Sequence, residues 1–169
     1  MKKVVKFGGS SLASAEQFKK VGDIVRSDKS RKYVVPSAPG KRFGADTKVT
    51  DMLYQTYALA EAGKDFSSEL QAIKERYNEI IKGLKLNMTL DAEFETIAEM
   101  FRSKAGSDYA ASRGEYLNGK IMANYLGFEF IDAAEVIFFD EEGNFDAEKT
   151  NNILSVRLGK VDNAVVPGF

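Results

Sequence analysis

Lys6, Gly8, Gly9 and Ser10 stand together in the stretch VVKFGGSS, a few residues into the chain. Two glycines can let backbone N–H groups converge on an anion, and a lysine beside them adds a full positive charge. That is chemistry for holding phosphate. The same four residues can also make an ordinary strand-to-helix turn with a solvated lysine. The spacing is not that of a P-loop, G-x-x-x-x-G-K-[ST], nor of the dinucleotide fingerprint G-x-G-x-x-G. Lys6 bears on the choice because Val5 and Phe7 flank it and so face the other way. On a central strand a lysine needs a partner, since an unpaired buried charge is costly, and phosphate would serve. On an edge strand it needs none.

Two further residues could do chemistry. Glu115 lies in SRGEYLNGK, where a serine and a glycine lead into an amphipathic helical pattern. It could pair with a cation, or it could favour a helix N-terminus through the dipole. Thr50, close to Thr47, could contact a ligand or merely open a helix. The chain has no cysteine and no histidine, which excludes disulfides, thiolate nucleophiles, Ser-His-Asp triads and the usual zinc ligand sets. Acid–base work would fall to Asp, Glu, Lys or Tyr. No metal-ligand set is expected among these residues; a metal would be a hard cation on oxygen ligands, with magnesium carried in by a nucleotide the expected case.

The elements that must position these groups read as an α/β pattern. Lys3 to Phe7 reads as a short buried strand. Ser14 and Gln17 have the spacing of a capping box, and Phe18, Val21, Ile24 and Val25 recur as one helical face. Lys32 to Pro36 is a second strand, so the chain opens with one βαβ unit and a parallel sheet. PSAPGKRFGADTK, from Pro36 to Lys48, must be a loop. Four helical patterns follow: Thr47 to Ala62; one carrying Leu70, Ile73, Tyr77, Ile80 and Leu84; one carrying Phe94, Ile97, Ala98 and Phe101; and Tyr109 to Leu126, closed by Gly127. Strands are expected again at Phe128 to Asp132 and Val136 to Phe139, then a turn at DEEGN, a helix from Asp146 to Leu158, and a last strand from Ala164 to Pro167. The fold class is α/β with a mainly parallel sheet and a helical insertion over 47–126. A buried parallel strand normally leads into a covering helix, so the chain reads as the first part of a larger domain, incomplete at the C-terminus.

The length of 169 residues, with 44% hydrophobic and 29% charged residues, fits one ordinary globular domain. A formal net charge of −1 argues against nucleic acid as a partner. Lys2 and Lys3 imitate the start of a signal peptide, but Lys6, Gly8 and Gly9 break the apolar stretch. No segment approaches the roughly 20 apolar residues that span a bilayer. A cytoplasmic protein with no membrane partner is expected.

Three segments taken together resemble aspartokinases: VVKFGGSS, VVPSAPGK with KVTDML, and GEYLNGKIMANYLG. The terminal AVVPGF fits the same family, and order and approximate spacing agree along essentially the whole chain. The resemblance implies the amino acid kinase fold, a three-layer α/β/α sandwich. It implies transfer of the γ-phosphoryl group of ATP, with Mg2+, to the side-chain carboxylate of L-aspartate, the first step toward lysine, threonine and methionine. It gives Lys6 the role of holding the transferring phosphoryl, with Gly8, Gly9 and Ser10 as the phosphate cradle. It assigns Ser37 and Thr50 to substrate binding and Glu115 to the substrate's amino group. Asp51 stands where asparagine is common in the family, and the loop from Ser37 to Thr50 is longer than in many relatives. The whole chain, 1–169, is then expected to be the N-terminal substrate- and phosphate-binding part of such a kinase domain. The full-length form is expected to be a homo-oligomer. A sister kinase acting on glutamate or acetylglutamate and a non-catalytic ligand-binding or oligomerisation module are the competing readings.

Overall fold

In the computed structural model, which describes residues 1–169, four strands form one all-parallel sheet. β1 spans Lys3–Phe7, β2 Arg31–Pro36, β3 Glu129–Phe130 and β4 Ala164–Val165, in the spatial order β1-β2-β4-β3. Seven helices accompany them: α1 Ala15–Arg26, α2 Val49–Glu61, α3 Ser67–Gly83, α4 Asp91–Arg102, α5 Ser107–Leu126, α6 Ala133–Val136 and α7 Ala147–Gly159.

Alternation along the strands divides the core between two faces. Val34 of β2 and Val165 of β4 join the large core that α1 to α5 build on one face. Ile131, Ala164 and Val166 face the opposite side, where Val136 of α6 and Leu154 and Leu158 of α7 cover them. Helices therefore flank both faces of the sheet. Helix α5 is the spine of the large core, burying Leu117, Ile121 and Met122 completely. Gly127 ends it in the left-handed conformation, φ 71°, where a side chain would be strained. Within the helical layer Phe101 is fully buried, edge-on to Tyr57 at 5.4 Å and to Tyr109 at 6.5 Å, with Phe66 tilted against it at 5.9 Å.

Four sequence expectations need correction. β1 is not a buried strand: it is the sheet edge, bonded only to β2, and Val5 and Phe7 pack inward while Val4 and Lys6 are exposed. Val136 to Phe139 is not a strand. Asp132 caps the Ala134 N–H, the chain makes the single turn α6, and Phe139 forms only an isolated antiparallel bridge with Phe145. The Phe138 N–H is satisfied by the buried Thr150 hydroxyl at 2.9 Å instead of by a neighbouring strand. Ile24 is 47% exposed, because its position on α1 falls outside the stripe of Phe18, Val21 and Val25. Finally, Ser14 accepts from the Gln17 N–H at 3.4 Å, but the Gln17 side chain makes no return bond, so only half the capping box forms. No helix is long and apolar enough to cross a membrane.

Replacing Phe101 with alanine removes the hub of the aromatic cluster. We expect a loss of about 3–5 kcal/mol, read as a lower urea midpoint at unchanged m-value. A loss below about 1 kcal/mol would mean that the helical layer does not share the cooperative core.

Candidate active site

Parallel strands deliver their following loops to one end of the sheet, and the candidate residues gather there. After β1 the chain passes Gly8 into a short 3₁₀ turn, Gly9–Leu12. After β2 it runs as a loop from Ser37 to Lys48 before entering α2. Backbone bonds stitch the two together. The Ser37 N–H donates to the Phe7 carbonyl at 3.0 Å, the Gly40 N–H to the Gly9 carbonyl at 2.8 Å, and the Val49 N–H to the Pro39 carbonyl at 3.1 Å. Gly9 and Gly40 meet backbone to backbone. A Cβ on Gly9 would lie 2.8 Å from the Ala38 carbonyl oxygen, and one on Gly40 would lie 2.6 Å from the Gly9 carbonyl carbon. Neither obstacle can rotate away, so both positions require glycine. Gly8 differs: a Cβ there would meet nothing within 4 Å, so its bare face opens onto free space.

Helix α5 closes the site from the other side. Glu115 is well past the first turn of α5, so stabilisation of the helix N-terminus does not explain it. Its Oε1 accepts the Ala38 N–H at 3.1 Å, and one turn on, Asn118 Nδ2 donates to the Ser37 carbonyl at 2.7 Å. Gly114 allows this approach: a Cβ there would lie 2.7 Å from the Ala38 methyl, 3.3 Å from Leu53 Cδ1 and 3.9 Å from the Thr50 hydroxyl. The Gly114 carbonyl accepts from the buried Tyr77 hydroxyl at 2.8 Å. Thr50, in the first turn of α2, and Glu115 thus flank the same loop.

Burial pushes the Glu115 carboxyl above its ordinary range, while the Ala38 N–H, its own backbone N–H and the nearby Lys6 charge pull the other way. Burial also raises the Tyr77 hydroxyl well above its ordinary value, and the Glu115 charge adds to that. Every sequence-identified residue lies at this end of the sheet. Lys6 and Ser10 are exposed, and Gly8, Gly9, Ser37, Thr50 and Glu115 are half-buried. The site is an open shelf. Lys6, on an edge strand, does not need a phosphate to offset burial; its position beside the glycines is what commends it. No cluster of three acidic side chains forms a metal site. Sequence reasoning missed Asn118, Tyr77 and Gly40 as parts of the site. Asn118 was within reach of it, being three residues from Glu115 and so on the same helical face. Tyr77 reads from sequence only as part of an apolar stripe.

A parallel α/β fold with a glycine turn after its first strand defines a class, and comparison supplies it. The model of the amino acid kinase family matches residues 1–167, and the chain belongs to that family. Within it, the similarity is to aspartokinases. The chain is 35% identical over 181 residues to aspartokinase 3 of Bacillus subtilis, covering 99% of this chain and 40% of that protein. It superposes on the crystal structure of Clostridium acetobutylicum aspartate kinase with a TM-score of 0.95 and 50% identity, over 100% of this chain and 39% of that one. Escherichia coli aspartokinase III, in complex with aspartate and ADP, shares the fold at a TM-score of 0.79 and 21% identity, over 100% of this chain and 41% of that one. The chain therefore spans about two fifths of the length of the relatives it matches.

The raised carboxyl of Glu115 makes a prediction about stability. A folded-state pKa above the unfolded one gives stability that is fully present at low pH and lost as pH rises through the folded value. Glu115→Gln removes that loss. We expect the variant to gain on the native protein as pH is raised from 4 to 7 in urea titrations without ligand. A difference that is flat with pH would show that Glu115 is not desolvated.

Proposed function

We propose that this chain is the N-terminal substrate- and phosphate-binding part, residues 1–169, of an aspartate kinase. The carrying observation is the gathering of a cation, a bare glycine turn and a half-buried carboxylate around one loop pair, in a chain 50% identical to an aspartate kinase over its whole length. In this reading the γ-phosphoryl group of ATP lies over Gly8, Gly9 and Ser10. Nothing lies within 4 Å of where a Cβ on Gly8 would stand, and in this reading the phosphate takes that open side. The N–H groups of Gly9 and Ser10 precede the first bond of the 3₁₀ turn, Ser11 N–H to Gly8 carbonyl, and are free to donate.

The acceptor is the side-chain carboxylate of L-aspartate. One of its oxygens attacks the γ-phosphorus, the bond from that phosphorus to the bridging oxygen breaks, and the electron pair leaves with ADP. The product is an acyl phosphate. The attacking carboxylate is already ionised, so no general base is required, in keeping with a site that has no histidine or cysteine. Lys6 follows the charge that moves onto the transferring oxygens. Glu115 receives the substrate ammonium, and Thr50 and Ser37 orient the substrate beside it. Mg2+ entering with ATP would neutralise phosphate charge; the chain's own residues supply no acidic cluster for it. A cytoplasmic location and a homo-oligomeric full-length enzyme complete the proposal.

In the full-length enzyme, Lys6→Ala should lower kcat by about a hundredfold while the KM for aspartate changes little, because the lost charge acts on the transition state. Glu115→Gln should do the reverse, raising the KM for aspartate with the fold intact. Unchanged kcat in the first variant would leave Lys6 a solvated edge-strand residue. Unchanged aspartate saturation in the second would remove Glu115 from the substrate site.

The isolated 169-residue chain should release little or no ADP with aspartate in a coupled assay. Catalysis by positioning fails when much of the positioning apparatus is absent, and the chain covers about 40% of the relative's length. Robust aspartate-dependent ADP release would make it a complete minimal kinase.

A further inference from the structure

We propose that Arg76 of α3 is a positioning residue for the glycine cradle, acting through the backbone of Gly40. The inference rests on the cradle reading of Gly8, Gly9 and Ser10 and adds what orients it. Arg76 is 5% exposed. Its Nη2 donates to the Gly40 carbonyl at 2.9 Å and its Nη1 to the Thr47 carbonyl at 3.1 Å, so it spans the loop between β2 and α2. The same Nη1 lies 3.1 Å from Asp46 Oδ2. That carboxylate also accepts from Arg42, through its backbone N–H and its Nε, each at 2.9 Å, and Arg42 Nη1 reaches on to Glu79 at 3.0 Å.

Gly40 is the relay. Its carbonyl is held by Arg76, and its N–H holds the Gly9 carbonyl. The Gly9 carbonyl and the Ser10 N–H belong to one planar trans peptide and point in opposite directions. Fixing the carbonyl on Gly40 therefore aims the Ser10 N–H away from the loop. Gly40 cannot close further on Gly9, because their backbones are already in contact where a Cβ would lie at 2.6 Å. Arg76 supplies the only side-chain bond to Gly40, from outside both loops. At 5% exposure beneath the loop, Arg76 is placed to act through this relay rather than by contact with a ligand.

Three variants of the full-length polypeptide carrying this sequence test the proposal: Arg76→Met, Arg76→Lys and Asp46→Asn. Amide hydrogen exchange at Gly40 is read against the core amides of Ile73 and Leu117. Arg76→Met should speed exchange at Gly40 about tenfold with the core amides unchanged, raise the KM for ATP about tenfold, and leave the KM for aspartate within about twofold. Arg76→Lys should recover part of both effects, since one ammonium can still reach one carbonyl. Asp46→Asn should move both in the same direction by less. Unchanged exchange at Gly40 would overturn the proposal. So would equal rises in both KM values together with a lowered Tm that Arg76→Lys does not reverse, which marks a purely structural role. If the native enzyme does not phosphorylate aspartate, the functional reading fails, while exchange at Gly40 still decides whether Arg76 sets the loop.

Discussion

A contact between two backbones, Gly9 against Gly40, governs the working end of this molecule. Adjacent parallel strands send their loops to the same place, and here those loops touch with no side chain between them. The bond from the Gly40 N–H to the Gly9 carbonyl is possible only at that distance. From it follows the path of the loop, whose Pro39 carbonyl takes the Val49 N–H and so sets where α2 begins. The start of α2 in turn places Thr50 beside Gly114. A methyl group on either glycine would strain all of these relations together.

Helix α5 answers that constraint from below. Its apolar face, with Leu117, Ile121 and Met122, is locked into the core, and the same rigidity holds Glu115 and Asn118 against Ser37 and Ala38. The arrangement carries costs. Glu115 is desolvated, and the buried Asn118 Oδ1 has no partner in the protein, an omission that in general costs about 1–3 kcal/mol. Residues kept where they weaken the fold are the ones whose presence a packing argument does not explain. Both lie on the face of α5 that meets the loop after β2.

The edge position of β1 removes one physical reason for Lys6 to pair with an anion. A lysine on a central strand would demand a counter-charge; within the four-stranded sheet of these 169 residues Lys6 is exposed and does not. What remains is proximity: Lys6 precedes the glycine turn by two residues, and its charge is felt by Glu115. The phosphate reading therefore stands on the convergence of several groups and on family membership, with no support from the burial of one charge.

Much of the architecture was legible in the residues because it depends on local periodicity. The stripes of α2, α3 and α4, the left-handed stop at Gly127 and the loop from Ser37 to Lys48 all follow from spacing and from the chemistry of glycine and proline. The motif around Lys6 and the Gly-Glu pair at 114–115 stood out through resemblance to aspartokinases, since spacing alone left their bland readings open. The strand order could not, and with it went the exposure of β1, because neighbours in a parallel sheet are chosen by packing across long crossovers. Val136 to Phe139 has a strand's composition, yet the Asp132 cap and the Thr150 hydroxyl take its backbone elsewhere. The union of Arg76, Asp46, Gly40 and Gly9 was hidden for the same reason. The sequence by itself determined which of the longer helices form and which residues carry charge or lack a side chain. Only the tertiary structure decided which of them meet, because hydrogen bonds and close contacts between segments tens of residues apart leave no period in the chain.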